Sequence, residues 1–281
     1  MNSKKNIHVY PDKKALITAT AEKIIYSIEQ SVKDNGLCNI ALTGGNTPRD
    51  LYSMLATDTY KKRVDWNCVH LFWGDERTVP PENPDSNFGM ARQTLLKHIK
   101  LPQDNIHRIK GEITPEDAAK EYSSLIHGHF KEAPPRFDLI LLGLGEDGHI
   151  ASLFPGTAAI EENIKTVVAV FVPKLDTWRI SLTLPVINTA KEIMFLVSGS
   201  SKSKIMQQIM NIEEPAKDVP ATLVNPKDGT VHWLLDSEAV ALINKNAKEI
   251  IHGRPHPSIL KDRPPPKDVS KRLAGRVRFY L

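Results

Sequence analysis

The chain has little cysteine and no long hydrophobic run. Its two cysteines, Cys38 and Cys68, are too few for a disulfide framework or a four-thiolate zinc site. This favours a reducing, cytoplasmic compartment. The longest apolar segments, residues 137–144 and 167–172, are far shorter than the about 20 residues that cross a bilayer. The N-terminus is polar and carries lysines, so we expect neither a membrane span nor a secretory signal.

The chain also lacks excess positive charge outside its last 29 residues, although its net charge is +4 over 281 residues. Residues 253–281 hold eight Lys and Arg against two Asp, which leaves residues 1–252 at −2. A polybasic nucleic-acid-binding domain is therefore excluded, and any cationic site must be local. The final segment also holds five of the twenty prolines. We predict one α/β/α domain over 1–252 and a flexible basic extension over 253–281, either a solvated tail or an arm for an acidic partner or another subunit.

The remaining sequence alternates short β-branched runs with longer amphipathic segments. This pattern predicts an open, mostly parallel sheet with helices on both faces. Strands are predicted at 7–10, 39–43, 69–73, 137–142, 167–172, 179–184, 192–197 and 231–235. Helices are predicted from Asp12 to Gly36, from a Thr47 N-cap to Ala56, from Ser86 to Ile99, from Thr114 to Phe130, over 201–210 and over 237–251.

Four loops that follow predicted strands could carry chemistry, because parallel sheets bind ligands at the carboxyl ends of their strands. In the first, residues 43–48, Gly44 and Gly45 permit close approach to a ligand and Asn46 precedes a helix start. This loop is either a phosphate cradle or only a tight strand-to-helix turn.

The second loop, residues 143–149, satisfies G-x-G-x-x-G. Glu146 and Asp147 would place two carboxylates where a dinucleotide pyrophosphate sits, which disfavours nicotinamide binding. We interpret His149 as a general base that Asp147 orients; the alternative is a structural histidine.

The other two loops offer polar and cationic groups. Asp75, Arg77 and Asn87 lie in or beside a proline-rich loop at 74–87, suited to sugar hydroxyls and phosphate oxygens. Lys174 and Arg179 flank the start of a predicted strand, and Lys202 follows a Gly-Ser turn. Each one alone is more typical of a solvated charge than of a ligand, but together they could hold a dianion.

Taken together, these loops resemble the 6-phosphogluconolactonase family. The residues that carry the resemblance are Thr43-Gly44-Gly45-Asn46-Thr47-Pro48, Gly74-Asp75-Glu76-Arg77 with Ser86-Asn87, residues 143–155, residues 178–185, and residues 233–236. The resemblance spans residues 7–250 and implies a sugar-isomerase-like fold. It also implies hydrolysis of 6-phospho-D-glucono-1,5-lactone without a metal or organic cofactor. The sequence leaves the oligomeric state open between a monomer and a homodimer.

The resemblance implies His149 as base with Asp147 beside it, Arg77 and a cation of the 174–179 segment on the phosphate, and Gly44 and Gly45 in the supporting loop. Ile150 and Asn46 depart from the common family residues, Thr and Ser. The lack of a Gly-x-Ser-x-Gly elbow agrees with water as the nucleophile.

Two alternatives remain open from the sequence. A glucosamine-6-phosphate deaminase of the same fold would have a carboxylate in place of Phe154, which cannot transfer a proton, and an aromatic residue in place of Arg77. A non-catalytic sugar-phosphate-binding module would keep the cations and drop the base, whereas this chain has both His149 and Asp147.

Overall fold

The structure is a computed structural model that describes residues 4–131, 134–210 and 219–243. Its strands are β1 (Lys4–Tyr10), β2 (Cys38–Leu42), β3 (Val69–Trp73), β4 (Asp75–Arg77), β5 (Ile106–His107), β6 (Leu139–Leu142), β7 (Val167–Val172), β8 (Thr177–Leu182), β9 (Glu192–Val197) and β10 (Thr230–Asp236). Its α-helices are α1 (Lys13–Asn35), α2 (Asn46–Leu55), α3 (Asp58–Lys61), α4 (Asn87–Thr94), α5 (Pro115–Phe130), α6 (Leu184–Ile187) and α7 (Ser203–Ile209).

Seven strands form one parallel sheet in the order β1-β10-β9-β6-β2-β3-β5. Every residue of β2 and β6 is buried, as expected for central strands covered on both faces. Neighbouring residues of β3 show the two covering layers, because successive side chains of a strand point to opposite faces. Phe72 packs against Phe130 of α5, and Trp73 packs against Phe88 of α4. The predicted fold class is confirmed.

A second, antiparallel sheet of three short strands has the order β4-β8-β7. The predicted loop over 74–87 therefore starts with a strand, which the sequence analysis missed because this strand has only three residues, all charged. The strand predicted over 179–184 begins and ends two residues earlier, since its pairing with β7 starts at Thr177. This sheet carries Asp75, Arg77 and Arg179 beside the carboxyl end of the main sheet.

Several helix ends agree with their predicted signals. The Asp12 side chain accepts a hydrogen bond from the Ala15 N–H at 2.8 Å, and Gly36 ends α1 in the left-handed region at φ +78°. Ser86 accepts from the Gly89 N–H at the start of α4, and Thr114 caps α5.

Other helix bounds were predicted wrongly. The N-cap of α2 is Gly45, not Thr47, because Gly45 at φ +109° turns the chain from β2 straight into the helix. Helix α4 ends at Thr94, and a separate 3-10 turn covers Leu96–His98. A 3-10 turn, Ser200–Lys202, likewise precedes α7, which starts two residues later than predicted.

The last predicted helix and the basic extension lie largely outside the described residues. Residues 237–243 form turns in place of the start of a helix over 237–251, and the rest of that prediction is not described. The extension over 253–281 also lies outside the described residues. In the described part of the chain, no helix combines the length and apolar content that membrane crossing requires.

Candidate active site

A cleft of about 380 Å³ opens where the predicted loops meet at the carboxyl ends of β2, β3, β6 and β9. Of the residues singled out from the sequence, those lining it are Gly44, Gly45, Asp75, Arg77, Asn87, Asp147, His149, Lys174 and Lys202. Asn46 and Arg179 are not among its lining residues. Thr43, Gly143, Leu144, Gly145, Glu146 and Ala151 complete the wall.

Asp147 and His149 form a hydrogen-bonded pair in the turn after β6. The Nδ1 atom of His149 lies 2.6 Å from Oδ1 of Asp147, and the His149 N–H donates to the same oxygen at 3.2 Å. An ionised carboxylate can only accept hydrogen bonds, so Nδ1 carries the proton of the neutral imidazole. The lone pair of His149 is therefore on Nε2.

Asp147 is held in its ionised form. Burial raises the pKa of this carboxyl, but hydrogen bonds from Lys174 and His149 outweigh burial and hold the pKa well below its ordinary value of 3.8. Lys174 donates from Nζ to Oδ2 of Asp147 at 2.8 Å, so each carboxylate oxygen has its own cationic or imidazole donor. The ionised carboxylate thereby fixes the tautomer of the neutral His149 imidazole.

Gly145 leaves the space that the Asp147–His149 pair occupies. A Cβ atom at this position would lie 2.0 Å from Nδ1 of His149 and 2.6 Å from Oδ1 of Asp147. The turn is closed by backbone hydrogen bonds from Gly145 N–H to His149 C=O at 2.9 Å and from Gly148 N–H to Gly145 C=O at 3.0 Å. Gly148 takes φ +78°, which a side chain would strain.

Phe154 packs on the imidazole, a role that the sequence analysis did not assign. Its ring stacks on His149 with centroids 3.9 Å apart and planes 23° apart. Phe154 is buried, whereas the His149 side chain is 29% exposed to solvent. The only sequence signal was that Phe154 lies five residues after the histidine in the same loop. The stack fixes the ring plane that the Asp147 bond alone leaves free to tilt.

Asp75 and Asn87 form a buried polar part of the cleft wall. Asp75 accepts from Ser152 Oγ at 2.7 Å and from Asn87 Nδ2 at 3.2 Å. The Asn87 amide also packs against Gly44, where a Cβ atom would lie 1.8 Å from Asn87 Oδ1. Gly44 is therefore required by a close approach of two loops.

Glu76, between Asp75 and Arg77, has a structural position outside the cleft lining. Its buried carboxylate accepts from the Asn87 and Phe88 N–H groups at 2.7 and 2.8 Å and from Ser86 Oγ. Burial raises the pKa of Glu76, and these bonds from the start of α4 oppose that rise. The acidic pair beside Arg77 thus divides into a cleft residue and a helix cap.

The cations differ in how tightly they are held. Arg77 donates from Nη1 to the Asp85 carbonyl at 2.6 Å, and its buried Nε has no hydrogen-bond partner in the described part of the chain. Arg179 lies opposite Arg77 across β4 and β8 and donates to Thr177 Oγ1 and the Trp178 carbonyl. Burial lowers the pKa of Arg179, and the like charge of Arg77 lowers it further.

The sequence matches a known protein family. Residues 11–233 match the model of the family described as glucosamine-6-phosphate isomerases/6-phosphogluconolactonase. The chain belongs to this family.

Two curated relatives, both named 6-phosphogluconolactonase, show how closely the chain resembles other members of the family. The one from Nostoc sp. is 36% identical over 242 residues, covering 85% of this chain and 98% of the relative. The one from Haemophilus influenzae is 37% identical over 222 residues, covering 79% of this chain and 92% of the relative.

Solved structures of the family share the fold. The 6-phosphogluconolactonase from Trypanosoma cruzi gives a TM-score of 0.75 at 29% identity, covering 87% of this chain and 98% of that one. A monomeric glucosamine-6-phosphate deaminase gives 0.70 at 21% identity, covering 84% and 99%, a likeness of fold alone. The family and fold predicted from the loop motifs are confirmed.

Proposed function

We propose that this chain hydrolyses 6-phospho-D-glucono-1,5-lactone to 6-phospho-D-gluconate in the oxidative pentose phosphate pathway. Membership of the family and the two relatives named 6-phosphogluconolactonase support this activity. The observation that carries the mechanism is the 2.6 Å bond from His149 Nδ1 to ionised Asp147, which leaves a basic Nε2 in a cleft bordered by cations.

In the proposed reaction, Nε2 of His149 takes a proton from a water molecule as that water attacks the lactone carbonyl carbon. The carbonyl π electrons move to the oxygen, and a tetrahedral oxyanion forms. When the oxyanion collapses, the bond from this carbon to the ring oxygen breaks. The proton on Nε2 then passes to the ring oxygen, which becomes the 5-hydroxyl, and His149 is neutral again. Asp147 stabilises the imidazolium that exists between the two proton transfers.

The glycine loops supply the remaining polar surface. Gly44 and Gly45 border the cleft where α2 begins, so backbone N–H groups and the positive helix end favour negative charge there. We assign the oxyanion and nearby substrate oxygens to this side. Asp75 and Asn87, which also line the cleft, suit sugar hydroxyls.

The phosphate is assigned to the cationic border. Arg77, Lys174 and Lys202 line the cleft, and a dianion would also relieve the repulsion between Arg77 and Arg179. The guanidinium of Arg77 suits this role, because a guanidinium normally offers its N–H groups in pairs to phosphate oxygens. Lys174 would then serve both Asp147 and the substrate.

The packing of Phe154 favours lactone hydrolysis over deamination. An amino-sugar isomerisation needs a second proton-transfer group, and the apolar ring of Phe154 covers one face of His149 instead. A binding module without catalysis would have no use for a histidine whose tautomer is fixed by a carboxylate.

The test is a substrate comparison with the purified chain. Freshly generated phosphogluconolactone should yield phosphogluconate, read through its dehydrogenase, well above the uncatalysed rate. Glucosamine 6-phosphate should release no ammonia. Ammonia release would support a deaminase, and calorimetric binding of the lactone without faster hydrolysis would support a binding module.

We extend the proposal to the molecule's setting: a cytoplasmic monomer or homodimer whose catalytic domain is residues 1–252. Both cysteines are free thiols, which suits a reducing compartment. Sedimentation velocity measures the assembly. Removal of residues 254–281 should leave its size and the lactonase rate unchanged.

A further inference from the structure

Three histidines meet far from the cleft, between the parallel sheet and the end of α5. His70 lies in the first half of β3, His107 ends β5, and His129 lies in the last turn of α5. One ring nitrogen from each lies within 4.8 Å of the other two. Among the described residues, this is the one group of three or more His, Cys, Asp or Glu side chains that converges so closely.

The nitrogens are already near metal-ligand spacing. Nδ1 of His70 lies 3.1 Å from Nε2 of His107. Two ligands of a tetrahedral zinc ion with Zn–N of about 2.1 Å are about 3.4 Å apart. The ring centroids lie between 4.7 and 5.3 Å apart, with the His70 and His107 rings stacked and the His129 ring tilted against both. Zn²⁺ binding would require a ring nitrogen of His129, which lies within 4.8 Å of both, to move to a similar distance.

A hydrogen bond to Asn39 orients the third ring, that of His129, as histidine ligands of metals are commonly oriented. Nε2 of His129 donates to Oδ1 of Asn39 at 2.8 Å, which leaves the lone pair of this imidazole on Nδ1. Histidine ligands typically donate their other ring N–H in this way. Phe72 stacks on His107 at 4.3 Å and holds that ring in place.

The cluster is half-buried, so solvent ions can reach it, and it lies among aromatic rings that hold no charge. Burial lowers the pKa of His70 and of His129, and lowers that of His107 to about 4, so the rings are neutral near pH 7. Neutral imidazole is the form that binds transition metals.

We propose that His70, His107 and His129 form a binding site for Zn²⁺, with water as the fourth ligand. Three neutral imidazoles suit this ion, and a tetrahedral sphere with three protein ligands leaves one position for water. Without metal, one of the two facing nitrogens of His70 and His107 donates its proton to the other. When Zn²⁺ binds, this proton moves to the other nitrogen of the same imidazole ring. Both facing nitrogens can then bind the metal, and no proton is released.

The proposed site would connect three elements at one edge of the main sheet. Strand β5 has two residues and pairs with β3 at the end of the sheet, and α5 crosses the same face. A metal that bridges all three elements would restrain this edge. The cleft begins beyond Trp73, about 10 Å farther along β3 than His70, so the site acts on stability and not on the lactone.

The test uses the full chain without a purification tag, stripped of metal with a chelator. Zn²⁺ alone is titrated by calorimetry, and Co²⁺ replaces it for absorption spectra that distinguish tetrahedral from octahedral coordination. The variants are His70→Gln and His107→Gln, with His98→Gln as a matched exposed control and His149→Asn to remove any binding in the cleft. Circular dichroism and melting without metal check that each variant folds.

We expect one Zn²⁺ per chain with a Kd in the micromolar range or tighter, a raised melting temperature with Zn²⁺, and a tetrahedral Co²⁺ spectrum in the wild type. His70→Gln and His107→Gln should each weaken binding at least about tenfold, while His98→Gln and His149→Asn keep it. The proposal is overturned if the wild type binds no Zn²⁺ or gives only an octahedral spectrum. It is also overturned if folded His70→Gln and His107→Gln bind as tightly as the wild type. If neither variant folds, the wild-type spectrum and stoichiometry decide.

Discussion

The imidazole of His149 is held at three points: the Asp147 carboxylate, the Phe154 ring and the space left by Gly145. None of these would suffice alone, because a hydrogen bond sets one direction and a stacked ring sets one plane. Catalysis by a positioned base depends on both, since a displacement of about 1 Å can reduce the rate about a hundredfold.

Gly145→Ala tests this packing. The added methyl group would overlap Nδ1 of His149 and Oδ1 of Asp147, so the pair must separate. We expect kcat to fall about a hundredfold. Gly128→Ala is the control, because a Cβ atom there meets nothing within 4 Å and α5 should gain about 0.5–1 kcal/mol. Unchanged turnover in Gly145→Ala would show that the pair tolerates displacement.

Asp147→Asn tests the ionisation of the carboxylate through stability. The folded pKa of Asp147 lies below its unfolded value, so its contribution to stability is present above the unfolded pKa and is lost as the pH falls through the folded one. As the pH falls below the ordinary aspartate pKa of 3.8, the wild type should therefore lose stability relative to Asp147→Asn. Urea unfolding at several pH values measures the difference. A difference that stays constant with pH would contradict the assignment.

At the scale of elements, α4 depends on a cap from outside the helix. Glu76 accepts two N–H groups at the start of α4 and the Ser86 hydroxyl, all buried. Glu76→Ala leaves these donors unsatisfied, so we expect a loss of at least about 2 kcal/mol in the free energy of unfolding. The control is Glu82→Ala, which removes a carboxylate with 69% exposure. Equal urea midpoints for the two variants would show that the cap contributes little.

The elements also show what the sequence could predict. Central strands such as β6 and capped helices such as α1 were predictable, because apolar runs and cap residues act locally. Strand β4 and the two-residue β5 were not, since each is stabilised by pairing with a distant strand. The cleft loops were found from their position after strands. The stacking of Phe154 on His149 could not be predicted. Nor could the different positions of Asp75, in the cleft, and Glu76, at the start of α4, because contacts between loops that are distant in sequence determine them.

For the whole molecule, the cations of the cleft belong to a region, residues 1–252, whose net charge is −2. The attraction for a dianionic substrate is therefore local to the cleft. Salt should weaken it: between about 0.01 M and 1 M ionic strength the Debye length falls from about 30 Å to 3 Å. We expect KM for the lactone to rise several-fold over this range, with kcat nearly constant. Steady-state kinetics at matched pH checks this, and a KM independent of salt would remove the cations from phosphate binding.

The central claim is that Nε2 of His149 takes the proton of the attacking water. The most direct measurement is kcat of His149→Asn with saturating, freshly made phosphogluconolactone, corrected for spontaneous hydrolysis. The account predicts a fall of about a hundredfold or more with KM little changed. Turnover close to that of the wild type, in a variant that folds normally, would contradict it.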